Sequence, residues 1–192
     1  MFKYFVSAIV VFVLCLSSYG MLGCQAQRRN TYNHNSAQTH NYQSERTAQK
    51  IYGSVVHVAD GDTITVQTKS GEKFKIRLFA IDAPEKAQPY GPQSAGILKN
   101  LLLNHYVSID VQTVDRYGRK VAVVYRDNED INAEMIKLGA AWHYKHYDKS
   151  ANYNKYDNYE RAARENQKGL WNKMNPTPPW EYRKMMREQN KR

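Results

Sequence analysis

Alternating apolar and polar residues mark the chain from about residue 51 onwards and predict β-strands there. The clearest pair is residues 63–67 and 73–78, which lie on either side of the turn sequence Lys-Ser-Gly-Glu at residues 69–72. Two alternating segments joined by a short turn that contains glycine are typical of a β-hairpin. On the second strand the apolar residues share one face, which we expect to be buried, and Arg77 lies on the other face.

Similar patterns predict three more strands and three helices. The strands are residues 51–58, 106–113 and 121–125, and the helices, with apolar residues three and four apart, are residues 93–104, 131–138 and 153–167. Leu170 and Trp171, which follow the last helix, are expected to pack back on the domain. Five strands with helices between and after them match a β-barrel with helices, a five-stranded OB-fold barrel. The face and loops of this fold commonly bind nucleic acids.

The first 23 residues are typical of a secretion signal. The apolar run at residues 5–16 is too short for a comfortable membrane span and fits the core of such a signal. Met-Leu-Gly-Cys at residues 21–24 resembles a bacterial lipoprotein processing site, in which Cys24 is lipidated and becomes the mature N-terminus. Ordinary cleavage near Ala26 and an uncleaved anchor are the alternatives. We therefore expect export from a bacterium, either with a membrane anchor on the extracytoplasmic side or as a secreted protein.

The composition of the remaining segments predicts the domain organisation. Residues 24–50 contain almost no apolar residues, so they cannot bury a core and are expected to form a flexible polar linker. Residues 51–174 form the predicted domain. Residues 175–192 contain three prolines and then a basic run, and they are expected to be a peripheral tail, with disorder as an open alternative.

Charge narrows the class of partner. The chain has 192 residues, with 28 Lys and Arg against 18 Asp and Glu, and the formal net charge is +10. This balance favours a polyanionic partner, either nucleic acid or an anionic membrane surface. Cys15 and Cys24 both lie in the N-terminal segment, so the domain contains no disulfide and no thiolate metal site. The pair His143 and His146 is expected to be structural.

The predicted hairpin brings candidate functional residues together. It folds its outer ends beside each other, so Asp62 and Asp82 become neighbours, with Glu85 close by and Arg77 beside them. Clustered carboxylates repel one another without a cation, and oxygen ligands suit a hard ion such as calcium or magnesium. An arginine fork matches phosphate oxygens two at a time. The set points to phosphate ester chemistry. The alternative is that the Asp-Gly-Asp sequence beginning at Asp60 is only a turn and that the arginine is only solvated.

Four motifs, in the same order and at similar intervals, resemble the staphylococcal nuclease (thermonuclease) family over roughly residues 51–173. They are Asp-Gly-Asp-Thr at 60–63, Arg-Leu-Phe-Ala-Ile-Asp-Ala-Pro-Glu at 77–85, Asp-Arg-Tyr-Gly-Arg at 115–119 and Gly-Ala-Ala-Trp-His-Tyr at 139–144. The resemblance implies a calcium-dependent nuclease on an OB-fold barrel that cleaves DNA and RNA and leaves 3′-phosphate ends.

The resemblance also implies ligands for the calcium ion. Asp62 and Asp82 would bind the ion through their carboxylates, and Asp60 would hold a water molecule bound to it. Ala83 stands where the best-known members have threonine. That threonine offers its main-chain carbonyl to the metal, and Ala83 retains this group.

The remaining roles concern the substrate. Arg77 and Arg119 would hold the scissile phosphate, and Glu85 would orient or deprotonate the attacking water. Tyr117, Tyr144 and Tyr147 are candidates for the nucleotide pocket. The loop after Glu85 is shorter than in the best-known member, which leaves open how this carboxylate is held. The alternatives to a nuclease are a non-catalytic nucleic-acid-binding OB-fold surface protein and a tethered adhesin that binds anionic polymers. No protein partner is implied.

Overall fold

Eight strands and four α-helices make up the described part of the chain, residues 49–191 of a computed structural model. The strands are β1 (Gln49–Val58), β2 (Thr63–Gln67), β3 (Lys73–Leu78), β4 (Ile81–Asp82), β5 (Tyr106–Val114), β6 (Lys120–Arg126), β7 (Glu129–Asp130) and β8 (Trp142–His143). The helices are α1 (Gly91–Leu102), α2 (Ile131–Lys137), α3 (Tyr153–Glu165) and α4 (Pro179–Gln189). None of these helices is both long and apolar enough to cross a lipid bilayer. The predicted signal segment, Cys24 and almost all of the predicted linker lie outside the described residues.

The five long strands close into a barrel. Neighbours pair in the order β3-β2-β1-β5-β6, and a parallel pairing between β3 and β6 joins the two ends. The other pairs in this series are antiparallel. At the closing seam Arg77 of β3 lies in register with Val121 of β6. This arrangement confirms the predicted five-stranded OB-fold barrel, and its closure leaves few free strand edges.

The hairpin formed by β2 and β3 follows the alternation in the sequence. Its turn is closed by a hydrogen bond from the Thr68 N–H to the Glu72 carbonyl at 2.9 Å, and Gly71 takes a positive φ of 88° there. Its register sets Thr63 opposite Arg77, so the outer ends of the two strands meet. The predicted apolar face of β3 is buried at Ile76 and Leu78, and the lysines on the other face are exposed.

The main hydrophobic core lies inside the barrel and extends to two helices that cover it. Apolar residues of α1 and α2 share one buried cluster with residues from every barrel strand. Its fully buried members include Val55, Ile64, Val66, Ile76, Leu98, Leu102, Ile109, Val124, Met135 and Ile136. The predicted helical spacing therefore identified the faces that pack on the barrel.

A buried amide joins α2 to the barrel beside the closing seam. Asn132 donates through Nδ2 to the carbonyls of Phe79 at 2.9 Å and Ala122 at 3.1 Å. Its Oδ1 accepts from the Val124 N–H at 3.1 Å. Because Phe79 follows β3 directly, these bonds fix the start of the segment that leads from the hairpin to Asp82.

A second cluster forms around α3 and the 3-10 helix Gly169–Asn172. Trp142, Ala163, Leu170 and Trp171 are buried together, and the rings of Trp142 and Trp171 lie 4.2 Å apart at a steep angle. The prediction that Leu170 and Trp171 pack back on the domain is confirmed. Each of the predicted strands and helices is present, with ends that differ by no more than two residues.

Of the two histidines expected to be structural, His143 has contacts that agree with this role, whereas His146 is exposed. His143 is buried, and its Nε2 lies 2.8 Å from Asp148 Oδ2. Asp148 in turn accepts hydrogen bonds from the N–H and hydroxyl of Ser150 at 2.9 and 2.6 Å. These contacts fix the chain between β8 and α3.

The structure adds a fourth helix to the three that the sequence predicts. Residues expected to be a peripheral tail form α4, whose Trp180 stacks on Tyr144 with ring centroids 5.3 Å apart. Prolines precede and begin this helix, where their fixed φ favours the first turn. The prediction missed α4 because its sequence lacks an apolar stripe: Pro179 is its only buried residue.

Candidate active site

A cavity of about 720 Å³ opens where the hairpin ends, the β5–β6 turn and α4 meet. Every domain residue that the sequence predicts for the site lines this cavity. These residues are Asp60, Asp62, Arg77, Asp82, Ala83, Glu85, Tyr117, Arg119, Tyr144 and Tyr147. Segments far apart in sequence are therefore brought to one place.

Arg77 joins the two central carboxylates. Its Nη1 lies 2.7 Å from Asp62 Oδ2, and its Nη2 lies 2.8 Å from Asp82 Oδ1. Nη1 also donates to the Ile81 carbonyl at 3.1 Å. The expected meeting of the two aspartates beside an arginine is therefore observed. The side chains are almost removed from solvent, so the charges interact strongly.

Asp62 has an unusual protonation equilibrium. Burial raises the pKa of its carboxyl group to about 7, although Arg77 acts in the opposite direction. The nearby carboxylates of Asp60 and Asp82 raise this pKa further, and the hydrogen bond from the Ala83 N–H lowers it. Burial therefore outweighs the effect of the adjacent guanidinium, and a further cation bound here would favour the ionised carboxylate.

Short-range contacts fix the loops that carry the acidic residues. Asp60 Oδ1 accepts from the Asp62 N–H at 3.1 Å, and Asp62 Oδ2 accepts from the Ala83 N–H at 2.8 Å. Gly61 packs so closely that a Cβ there would lie 2.0 Å from the hydroxyl oxygen of Ser94. Asp60 therefore shapes the turn, which is one of the two roles considered for it, and it also faces the cavity.

The short loop after Glu85 is tied down by Gln88. Gln88 Oε1 accepts from the Glu85 N–H at 3.1 Å, and Gln88 Nε2 donates to the Thr177 carbonyl at 2.6 Å. A Cβ at Gly91 would lie 1.9 Å from the Glu85 carbonyl oxygen, so only glycine fits there. The backbone of Glu85 is thus held from both sides.

Arg119 is paired with Asp115 across the β5–β6 turn. Its Nε lies 2.7 Å from Asp115 Oδ2, and its backbone N–H donates to Asp115 Oδ1 at 2.9 Å. Burial tends to raise the pKa of Asp115, but the hydrogen bonds from Arg119 outweigh burial and lower it. Arg119 therefore braces the β5–β6 turn while its side chain lines the cavity. Its role toward a phosphate stays a prediction.

The three tyrosines form part of the rim. Tyr117 is 70% exposed, with the Arg119 guanidinium 5.6 Å from its ring centroid. The rings of Tyr144 and Tyr147 lie 4.6 Å apart, and Tyr147 is 61% exposed. Exposed aromatic faces at a cavity that also contains arginines suit stacking with nucleic-acid bases. Their part in substrate binding stays a prediction.

One residue of the site was missed in the sequence. Arg183 of α4 donates to Glu85 Oε1 at 2.8 Å and to both oxygens of Asp82, at 3.1 and 2.8 Å. Arg187, one helical turn later, also lines the cavity. The sequence contained one indication of this arrangement: the two arginines are four residues apart, and this spacing places them on one face of a helix.

The donor chemistry fits a hard divalent cation. Asp62, Asp82 and the Ala83 carbonyl offer oxygen only, as calcium and magnesium prefer, and water can complete such a shell. Within residues 49–191 no three acidic, histidine or cysteine side chains are already grouped as a metal site. Guanidinium groups occupy the carboxylate oxygens instead, so a cation that binds Asp82 must displace at least one of them.

Comparisons with known proteins agree with this geometry. The family profile described as "Staphylococcal nuclease homologue" matches residues 75–173. An "Uncharacterized endonuclease" of Haemophilus influenzae is 40% identical over 134 residues, which cover 68% of this chain and 71% of that protein. A "Micrococcal nuclease" of Shigella flexneri is 37% identical over 141 residues, 69% of this chain and 80% of that protein. A "Staphylococcal-like nuclease" of Arabidopsis thaliana is 41% identical over 119 residues, 62% of this chain and 36% of that protein. The profile match covers about half of the chain, and the bacterial relatives align over most of their own length. The chain therefore belongs to the staphylococcal nuclease homologue family.

Proposed function

We propose that this protein is an exported, calcium-dependent nuclease that hydrolyses phosphodiester bonds of both DNA and RNA. Membership of the family supports a hydrolytic nuclease, since relatives carry the names endonuclease and nuclease. The observation that carries the proposal is the single cavity in which oxygen ligands for a hard cation lie together with Arg77, Arg119 and Glu85. No other function considered for the chain requires all three elements in one place.

The arginines would bind the charge that develops during the reaction. A phosphodiester is an anion, and its pentacoordinate transition state concentrates more negative charge on the equatorial oxygens. Arg77 and Arg119 can offer charge-assisted hydrogen bonds to those oxygens, and such bonds strengthen as the charge grows. Both are held by carboxylates, Arg77 by Asp62 and Arg119 by Asp115, so their positions are set before substrate arrives.

Glu85 would act on the attacking water. Its carboxylate lines the cavity, and its backbone is fixed by Gln88, so it can orient a water molecule and accept its proton. General base catalysis of this kind contributes roughly 10²–10⁴ in rate. A calcium ion bound by Asp62, Asp82 and the Ala83 carbonyl, with Asp60 holding one of its waters, would supply a Lewis acid for the phosphate oxygens.

The resemblance to the family supports departure of the 5′ oxygen and 3′-phosphate products. The tyrosines at the rim would stack on the bases that flank the scissile bond, which suits either nucleic acid because every base has a π-face. The net charge of +10 would attract both polymers.

The N-terminal sequence supports the location. An apolar core followed by the lipoprotein-like motif that ends at Cys24 would direct export and attach a lipid to that cysteine. The polar residues that follow would hold the catalytic domain away from the membrane surface.

The test is cleavage of single-stranded DNA, double-stranded DNA and RNA, each with calcium and with a calcium chelator. We expect all three to be cut with calcium and none with chelator. Asp62→Ala should lose activity by orders of magnitude, whereas Asp127→Ala, which removes an aspartate whose side chain is 89% exposed, should not. Equal cleavage with and without chelator would refute the calcium dependence. Binding without any cleavage would favour the non-catalytic OB-fold alternative.

A further inference from the structure

Helix α4 places a third arginine at the centre of the active-site cavity. Arg183 bridges Asp82 and Glu85 through hydrogen bonds of 2.8 to 3.1 Å. It thus joins a proposed cation ligand to the proposed general base. The matched family region ends at residue 173, so this arginine comes from a segment outside it.

Helix α4 is held firmly enough to make this position a property of the fold. The Trp180 ring stacks on Tyr144 and lies 5.7 Å from the Trp142 ring. The Tyr182 hydroxyl donates to the Ala87 carbonyl at 3.2 Å. The segment before the helix is anchored by the bond from Gln88 to Thr177. The Arg183 side chain therefore projects from a docked helix and is only 33% exposed.

The contacts of Asp82 conflict with cation binding. Its Oδ1 accepts from Arg77 and Arg183, and its Oδ2 accepts from Arg183. The side chain has no exposed surface, so no oxygen faces open solvent. A divalent cation that binds Asp82 must therefore displace a guanidinium group, because two cations cannot share these oxygens without strong repulsion.

Arg183 is the group that can leave. Arg77 has further anchors in Asp62 and the Ile81 carbonyl, and its side chain is only 14% exposed. Within residues 49–191, the hydrogen bonds of the Arg183 side chain all go to Asp82 and Glu85. Arg183 is also the more exposed of the two arginines and has a rotatable side chain on the cavity wall.

We propose that Arg183 is an exchangeable counter-ion of the active site. It holds Asp82 and Glu85 while no cation is bound, and it turns to a backbone phosphate of the substrate when a divalent cation takes its place. The guanidinium fork suits both partners, since it matches carboxylate and phosphate oxygens equally well. Arg187, on the same face of α4, extends this positive surface along the cavity. The inference rests on the proposed function, because it assumes a nuclease that uses calcium.

The first measurement is calcium binding by isothermal titration calorimetry with no nucleic acid present. Arg183→Gln removes the competing cation, so we expect calcium to bind at least about tenfold more tightly than to the wild type, a factor equal to roughly 1.4 kcal/mol. Lys184→Gln is the matched control: it removes the same charge from the next position of α4, which is exposed and outside the cavity. We expect its calcium affinity to equal that of the wild type.

The second measurement is binding of a short phosphorothioate single-stranded DNA, which resists cleavage, at saturating calcium. Arg183→Gln should weaken this binding at least about tenfold, whereas Lys184→Gln should change it about twofold or less. Arg183→Lys keeps the positive charge on α4 but loses the bidentate fork. It should therefore lie between the wild type and Arg183→Gln in both measurements. If Arg183 had only a structural role, its replacement would not strengthen the binding of calcium while weakening the binding of DNA.

The outcomes separate this inference from the proposed function. If the wild type cleaves with calcium but Arg183→Gln binds calcium no more tightly, the proposed function stands and the exchange is overturned. If Arg183→Gln binds the DNA as tightly as the wild type does, the proposed contact between Arg183 and a substrate phosphate is overturned. If the wild type neither binds calcium nor cleaves, the proposed function and this inference fall together.

Discussion

Replacement of Arg77 by alanine tests the electrostatic design of the site. The substitution leaves Asp62 without its ion-pair partner, whereas Asp82 keeps Arg183. Removing one member of a buried ion pair costs about 3–5 kcal/mol, because the other charge stays buried without compensation. The side chains of Arg77, Asp62 and Asp82 are 14%, 9% and 0% exposed, so solvent screening reduces this free-energy cost only slightly.

Two features place the expected loss of unfolding free energy at the lower end of that range, about 3 kcal/mol. Arg183 still neutralises Asp82, and Asp62 can take up a proton, since the pKa of this buried carboxyl is already raised to about 7. Domains of this size are stable by about 5–15 kcal/mol, so the variant should stay folded at 25 °C. Its nuclease activity should nevertheless fall by orders of magnitude, because the phosphate loses a central ligand.

The assay is urea unfolding of calcium-free protein at pH 8, with cleavage measured on the same samples. Lys75→Ala is the control, since it removes a cation from the same face of the same strand at an exposed position. Its free energy of unfolding should change by about 0.5 kcal/mol or less. The bridging role assigned to Arg77 would be refuted if Arg77→Ala lowered the free energy of unfolding by less than about 1 kcal/mol. It would also be refuted if the folded variant cleaved nucleic acid at the wild-type rate.

Three further predictions concern separate parts of the chain. Glu85→Gln should lower kcat by roughly 10²–10⁴ in steady-state cleavage assays, and an unchanged kcat would remove Glu85 from the chemistry. Asn132→Ala removes the partner of the Val124 N–H and of the Phe79 carbonyl, whereas the Ala122 carbonyl keeps the Phe79 N–H, so the free energy of unfolding in urea should fall by about 2 kcal/mol. A fall of less than about 0.5 kcal/mol would contradict the role of this amide beside the closing seam. Cys24→Ala should release the protein from the membrane fraction of cells, and an unchanged distribution would argue against lipidation.

The sequence was sufficient for the barrel and for the acidic centre because both depend on local patterns. Period-two alternation fixes the faces of β2 and β3, and the short turn fixes their register. Once the register is fixed, Asp62 and Asp82 must meet near Arg77. Arg119 was instead identified from the resemblance to the family, through the motif at residues 115–119.

The role of α4 could not be predicted in this way. Its docking depends on the contacts of Trp180 with Tyr144 and Trp142, nearly forty residues earlier in the chain. Such contacts leave no periodic pattern in the sequence of the helix. A basic run also has the same composition whether its side chains are solvated or bound to carboxylates. The place of Arg183 therefore follows only from the tertiary structure.

The parallel seam between β3 and β6 has a consequence for the relation between folding and activity. Arg77 lies in β3 and Arg119 lies in the turn just before β6, and they face the same cavity only because Arg77 is in register with Val121, two residues beyond Arg119. A fragment limited to the hairpin would carry the acidic residues and one arginine but would lack the second. Catalytic competence should thus arise in a single step, when the last pair of strands joins, and any circular permutant that leaves this junction unpaired should be inert.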